Sequence, residues 1–305
     1  MANNDKKYLI VIAGPTAVGK TAAAIKLAKY FDTEIVSADS RQIYREMSIG
    51  TAKPTPQELS MATYHLINHV SIHEPYDVGT YAKQALQCID NIFNTRKLAI
   101  LSGGTGLYIH AVCHGLDTMP AANLHIRNKL NNDFDTSGIE PLQIMLKTVD
   151  PVYYNMVDIH NHVRIIRALE VYFSTQIPFS QYLNNTKTIR PFEVIKIALR
   201  LDKDILNQKI NIRTDDMIQA GLVQEAQGLY KYRTLSALKT VGYEEIFDYL
   251  DHKTDLQMCT QLIKKHTAHY AKKQLTWLRK DEEYKWFEPG EYTRIIDYIC
   301  SIINK

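Results

Sequence analysis

Cysteine is scarce in this sequence: Cys88, Cys113, Cys259 and Cys300 are the only four in 305 residues. None stand at metal-ligand spacing, and four are too few for a disulfide framework, so they read as free thiols of a reducing compartment. Long apolar runs are missing too. The longest near the N-terminus, at 8–13, is of strand length, and no window approaches a membrane span. The opening MANNDKKYLIVIAG lacks the long apolar stretch and small-residue cleavage site of a leader. Net charge is only +3, so overall charge says nothing for or against a nucleic acid partner. Internal repeats, low-complexity tracts and an HExxH pattern are likewise absent. What remains is a soluble cytoplasmic chain with no membrane association. Its 45% hydrophobic and 23% charged content suits one large domain, or one domain carrying an insertion.

The apolar run YLIVIA (8–13) predicts a strand buried on both faces. A glycine-rich loop follows, then TAAAIKLAKY (21–30), alanine-rich with apolar residues at helical spacing. Further strands are expected at 34–37, 98–101 and 193–201, and a helix at 108–112. Strands alternating with helices predict an α/β fold around a parallel sheet, with ligands bound in the loops beyond the strand ends. Between 117 and 190 clear strands are missing, and helical patterns such as VRIIRALEVYF (163–173) dominate. The expected organisation is a core of 1–116 and 191–305 with a helical insertion at 117–190. From Lys203 the chain reads as helical to its end.

GPTAVGKT (14–21) fits G-x-x-x-x-G-K-[ST], the P-loop pattern. Gly14, Pro15, Thr16, Ala17, Val18 and Gly19 supply a backbone that curls its amide N–H groups around one anion, backed by the positive end of the next helix. Lys20 adds a full charge for outer phosphate oxygens, and the Thr21 hydroxyl is the candidate ligand of a magnesium ion. Alone, the loop suggests ATP. Asp39, in SADSRQIY, has three readings: a magnesium ligand, the acceptor of a nucleophile's proton, or part of the N-cap of a helix containing Ile43 and Tyr44. SGGTGLY (102–108) is a second glycine loop whose amides and Thr105 hydroxyl suit a ligand, although strand-to-helix turns are often glycine-rich. His65, His69, His73, His110 and His114 recur at four-residue steps, and without HExxH they read as solvated or core histidines. KKHTAHYAKKQLTWLRK (264–280) holds six Lys/Arg, two His and no acid. On a helix, Ile263, Tyr270 and Trp277 share one face, expected to pack. Lys265, Lys272 and Arg279 lie opposite, open to a phosphate backbone or to water. Arg164 and Arg167, in VRIIRALE, are open in the same way.

Taken together, GPTAVGKT, SADSRQIYREMSIGTAKP (37–54), SGGTGLY, RIIRALEVY (164–172), LKTVGYEEI (238–246) and YAKKQLTWLRK (270–280) stand in the order and spacing of the tRNA dimethylallyltransferases. The chain resembles that family over about residues 8–287. DSRQIY followed by IGTAKP is more specific than the P-loop, which kinases share. The resemblance implies a P-loop core with an inserted helical domain that grips tRNA. It implies transfer of a dimethylallyl group from dimethylallyl diphosphate to the exocyclic amine of the adenine 3′ to the anticodon, in tRNAs reading codons that begin with U. The glycine loop then holds the donor's diphosphate with Mg2+, Thr16, Lys20 and Thr21 being prominent, and Asp39 matches the general base. Ser40, Arg41 and Gln42 fall in the stretch that recognises the target base, and Thr105 and Arg127 match positions near the tRNA and reaction channel. Arg213 matches an arginine on the diphosphate. Val163, Arg164, Ile165, Ile166 and Arg167 fall in a tRNA-contacting stretch. The enzyme is expected to act as a monomer on the anticodon stem-loop. Rival readings are transfer to free adenine nucleotides, a small-molecule kinase using ATP, and a non-catalytic RNA-binding protein. The arginines of the insertion and the basic helix favour tRNA. The chain departs from the family's pattern at Tyr64-His-Leu-Ile-Asn68, where HHLID is frequent, at Thr267-Ala268-His269, which lacks the usual arginine, at Lys273, where arginine is common, and at HNHVR, where an HPND-type lead is commoner.

Overall fold

Six strands form one sheet in the order β3-β2-β4-β1-β5-β6, and every neighbouring pair runs parallel. They are β1 (Tyr8–Ala13), β2 (Ile35–Ala38), β3 (Tyr64–His65), β4 (Leu98–Gly103), β5 (Glu193–Leu199) and β6 (Lys285–Phe287). The computed structural model describes residues 6–183 and 188–304, so residues 1–5, 184–187 and 305 of the expected domains lie outside the described residues.

The pleat sorts the central strand onto two cores. Leu9, Val11 and Ala13 enter one hydrophobic cluster, and Tyr8, Ile10 and Ile12 enter the other. Helix Lys20–Phe31 covers the second face with Ala23, Ala24 and Leu27, joined by Leu206, Ile210, Ile295 and Ile299. Helix Val78–Phe93 covers the first with Tyr81, Ala85 and Ile89. Burial on both faces explains why β1 and β4 read as unbroken apolar runs. Lys196 of β5 is the exception, a charged side chain only 3% exposed. Its ammonium lies 2.7 Å from both Asp281 and Glu283 and 3.0 Å from His114, so this buried charge is paired.

Two elements differ from the sequence reading. β6 falls in the stretch expected to be helical, and pairs with β5 over three residues. The segment after Asp39 is a series of turns, not a helix, with an isolated bridge from Tyr44 to Val70.

Chain contacts separate residues Gly115–Thr188 from Met1–His114 with Ile189–Lys305, against the expected 117–190. The separate unit holds helices Leu124–Ser137, Glu140–Val149, Pro151–Met156 and His162–Thr175. Asn123, Asp150 and Asn161 cap three of them through their side chains. Its own core comprises Leu130, Leu142, Leu146, Ile165, Ile166, Ala168 and Leu169.

Candidate active site

The loop from Gly14 to Thr21 joins β1 to helix Lys20–Phe31 at the carboxyl end of the strand, where parallel sheets place their ligands. Gly19 takes φ 103°, a left-handed conformation that turns the chain into the helix and leaves the helix start without a side-chain cap. The Lys20 ammonium donates to the carbonyls of Gly14 (3.0 Å) and Pro15 (2.8 Å). Thr16 accepts at its hydroxyl from Arg213 Nη2 at 2.8 Å. Gln274, 9% exposed, accepts from Thr16 N (2.8 Å) and donates to Gly104 O (2.9 Å), so one side chain ties the two glycine loops together.

Two cavities open here. One, of about 270 Å3, is lined by Ala17, Gly19, Lys20, Thr21, Lys53 and Gln274 among others. The second, of about 440 Å3, is walled by Ser40, Arg41, Met217, Lys239, Val241 and Thr267 among others, and lies within the size range of small-molecule sites. Thr16, Asp39, Thr51, Ala52, Arg213 and Tyr270 line both.

Turns and not a helix follow Asp39, so its helix-cap reading gives way to a turn. Its Oδ1 accepts from Arg41 N (2.9 Å) and Gln42 N (3.2 Å), fixing the turn, while the carboxylate borders both cavities. The SRQ residues are held by what surrounds them. Ser40 N donates to the Thr105 hydroxyl at 3.0 Å, so Thr105 anchors this turn and is absent from both cavity walls. Arg41 gives its guanidinium to the carbonyls of Ser236, Ala237 and Lys239. Gln42 Nε2 donates to Thr51 O and Ala52 O.

A third support was invisible in the sequence. Glu225 accepts from the backbone N–H of Ser48 (3.0 Å), Ile49 (2.8 Å) and Gly50 (3.0 Å), and from the Tyr243 hydroxyl (2.6 Å). Tyr243 lies so close to this turn that a Cβ on Gly50 would fall 2.5 Å from its ring. Glu225 thereby sets Thr51 and Ala52 against the cavities.

The basic helix, Leu256–Leu278, buries Cys259, Ile263, Thr267, Ala271, Gln274 and Leu278. Ile263 and Trp277 pack against the core as the spacing suggested, but Tyr270 needs correction: it is 43% exposed and lines the cavities with Thr267 and Gln274. Lys265, Lys272 and Arg279 are exposed as the spacing suggested.

In the four-helix unit the predicted contacts divide. Ile165 and Ile166 are core residues, 0% and 3% exposed, so their side chains offer no surface to RNA. Val163 and Arg164 are exposed. Arg127 and Arg167 each pair at 2.7 Å with Glu170, which is fully buried.

The site's cations are perturbed. Burial pulls Lys20 down to about 8, with Asp39 opposing and Arg213 adding to the shift. Burial pulls Lys53 to about 8 as well, against Glu225 and Glu46. Its ammonium donates to Tyr44 O and to Asn68 Oδ1, one of the positions at which the chain departs from the family's pattern. Arg213 is lowered by burial, with Asp39 opposing. Both lysines are charged below pH 8 and lose their protons above it. The kcat/KM for an anionic donor should therefore be level at neutral pH and fall as pH rises through about 8. A profile that stays flat to about pH 9.5 would remove Lys20 from donor binding.

The family model described as IPP transferase matches residues 42–281. The chain belongs to the IPP transferase family. The glycine loop and Asp39 lie upstream of the matched span. A relative named tRNA dimethylallyltransferase from Christiangramia forsetii is 49% identical over 298 residues, covering 97% of this chain and 99% of that one. Among solved structures, the full-length tRNA isopentenylpyrophosphate transferase of Bacillus halodurans superposes with a TM-score of 0.73 at 33% identity, covering 98% of this chain and 97% of that one. A eukaryotic dimethylallyltransferase captured acting on tRNA gives a TM-score of 0.73 at 27% identity, covering 89% of this chain and 70% of that one. These IPP transferases share the mixed α/β architecture with its central parallel sheet.

Proposed function

We propose that this chain transfers a dimethylallyl group from dimethylallyl diphosphate to the exocyclic amine of the adenine 3′ to the anticodon, in tRNAs reading codons that begin with U, releasing diphosphate. The observation that carries the reading is the meeting of two cavities at Thr16, Asp39, Arg213 and Tyr270. Transfer between two molecules needs two adjoining compartments with the reacting groups at their junction. The smaller cavity has the amides of a glycine loop, Lys20, Lys53 and Arg213, a cationic lining suited to a diphosphate leaving group. The larger has Asp39 beside Ser40 and Arg41, suited to the acceptor base.

An allylic diphosphate ionises readily once charge on its leaving oxygens is stabilised. The adenine amine is a poor nucleophile because its lone pair is delocalised into the ring, so a carboxylate that takes its proton as the C–N bond forms speeds the step. Among the described residues, Asp39 is the only carboxylate on both cavity walls. The base leaves the anticodon-loop stack to reach it, at modest cost in a single-stranded loop. Mg2+ fits the phosphate side: the Thr21 hydroxyl is a hard oxygen donor on the wall of the smaller cavity, and the donor's diphosphate would supply further hard oxygens. When bound, the ion offsets charge on the departing diphosphate. No described helix is long and apolar enough to cross a membrane. The described walls of both cavities come from one chain, which supports action as a monomer, and a tRNA substrate fits a cytoplasmic enzyme.

The deciding experiment supplies labelled dimethylallyl diphosphate and Mg2+ with either unmodified tRNA or adenosine monophosphate. Label should enter the tRNA adenine next to the anticodon. Transfer to the free nucleotide with none to tRNA would replace this reading with that of an adenylate dimethylallyltransferase, and release of ADP from ATP would replace it with a kinase.

A further inference from the structure

Six residues line both cavities, and a carbon that passes from one bound molecule to the other must cross the space they enclose. Thr16 and Arg213, joined by a 2.8 Å hydrogen bond, belong to the leaving-group side, and Asp39 to the amine side. Thr51 has its hydroxyl bonded to Met47 O and Ser48 O, and Ala52 offers a methyl group. The remaining wall is Tyr270. Its helix buries Thr267, Ala271 and Gln274 around it, yet Tyr270 stays 43% exposed. Its ring makes no hydrogen bond or aromatic contact with any described residue. Burial, reinforced by Asp39, pushes its phenol up to about 12, so the ring is neutral at physiological pH and unsuited to act as a base.

The charges at this junction pose a problem that the ring answers. Lys20, Lys53 and Arg213 stabilise a departing diphosphate, but the same positive field opposes positive charge on the allylic carbon. The negative face of an aromatic ring offsets that field without offering a lone pair that would capture the carbon. We propose that the face of Tyr270 stabilises the developing allylic cation, an assignment that rests on the dimethylallyltransferase reading. In that step the C1–O bond breaks and its electron pair leaves with the diphosphate. The adenine N6 lone pair forms the new C–N bond, and the N6 proton passes to the Asp39 carboxylate. Tyr270 makes and breaks no bond.

The test varies the ring's electron density at nearly constant shape. In the full-length chain, Tyr270→Phe is followed by replacement of the same residue with mono-, di- and trifluorophenylalanine, each fluorine weakening the negative face. Single-turnover transfer to saturating tRNA should fall steadily along the series, by about tenfold from phenylalanine to the trifluoro analogue. Affinities for tRNA and for inorganic diphosphate should hold level. Tyr270→Leu, which fills space without a π face, should fall at least as far. A flat rate along the series overturns the assignment. So does a constant rate with weakening tRNA affinity, which would make the ring a stacking platform for the base. If the unaltered chain transfers nothing to tRNA, the functional reading fails and takes this one with it; if it transfers normally while the series is flat, only the Tyr270 assignment fails.

Discussion

Asp39→Asn is expected to slow single-turnover transfer by roughly 10²–10⁴-fold while leaving tRNA affinity close to that of the parent chain. Asparagine is the informative replacement because Asp39 holds a turn besides its proposed role as base. Its Oδ1 accepts from Arg41 N at 2.9 Å and Gln42 N at 3.2 Å, and an amide oxygen can keep both contacts. Alanine would lose them, each worth about 1 kcal/mol, and would loosen the turn carrying Ser40, Arg41 and Gln42. A slow alanine variant therefore leaves the chemistry ambiguous, and a slow asparagine variant does not. The substitution has a second signature. Asp39 supports the charged forms of Lys20 and Arg213. Without its charge, Lys20 should lose its proton below its present value of about 8, moving the alkaline fall in donor kcat/KM to lower pH. Single-turnover rates near those of the parent chain would exclude proton transfer to Asp39.

Much of this site was legible because its signals are local. β1, the glycine loop and the helix after it occupy consecutive residues, and their order alone indicates what the loop can do. What stayed hidden depends on distant contacts. Glu225 reaches a turn 175 residues away at Gly50, and nothing around it marks it as a backbone acceptor. Periodicity places Tyr270 on the packed face because it counts apolar residues. The apolar count holds for Ile263 and Trp277, but the buried stripe also includes Thr267 and Gln274, and Tyr270 is left out of it. The KWF strand at Lys285–Phe287 is too short for any period, and its two aromatic residues were the signal available. In VRIIRALE the arginines read as charges open to RNA or water, although Arg167 stands three residues from Glu170, a spacing that places the pair side by side on a helix.

That pair underlies the second large effect. Glu170→Ala should destabilise the four-helix unit by about 3 kcal/mol, the lower end of the cost of breaking a buried ion pair. Glu170 is fully buried and accepts from Asn123 N at 2.8 Å, Arg127 Nε at 2.7 Å and Arg167 Nη1 at 2.7 Å. Arg167 also donates to Pro120 O, so one carboxylate joins the segment before helix Leu124–Ser137 to helix His162–Thr175. The lower end applies because the Arg127 and Arg167 side chains, 37% and 26% exposed, can turn to water once the carboxylate is gone, whereas the Asn123 N–H has no such relief built in. A core with only seven buried apolar side chains among its described residues has little stability in reserve against such a loss. Urea unfolding of the full-length chain should show a transition displaced to lower denaturant, with Glu170→Gln displaced less because its amide oxygen still accepts one of the three donors. A shift under about 0.5 kcal/mol for the alanine variant would mean that the two arginines are held by something other than Glu170. Arg127 and Arg167 would then have to be reconsidered as groups free to meet RNA, instead of groups whose orientation this carboxylate fixes before RNA arrives.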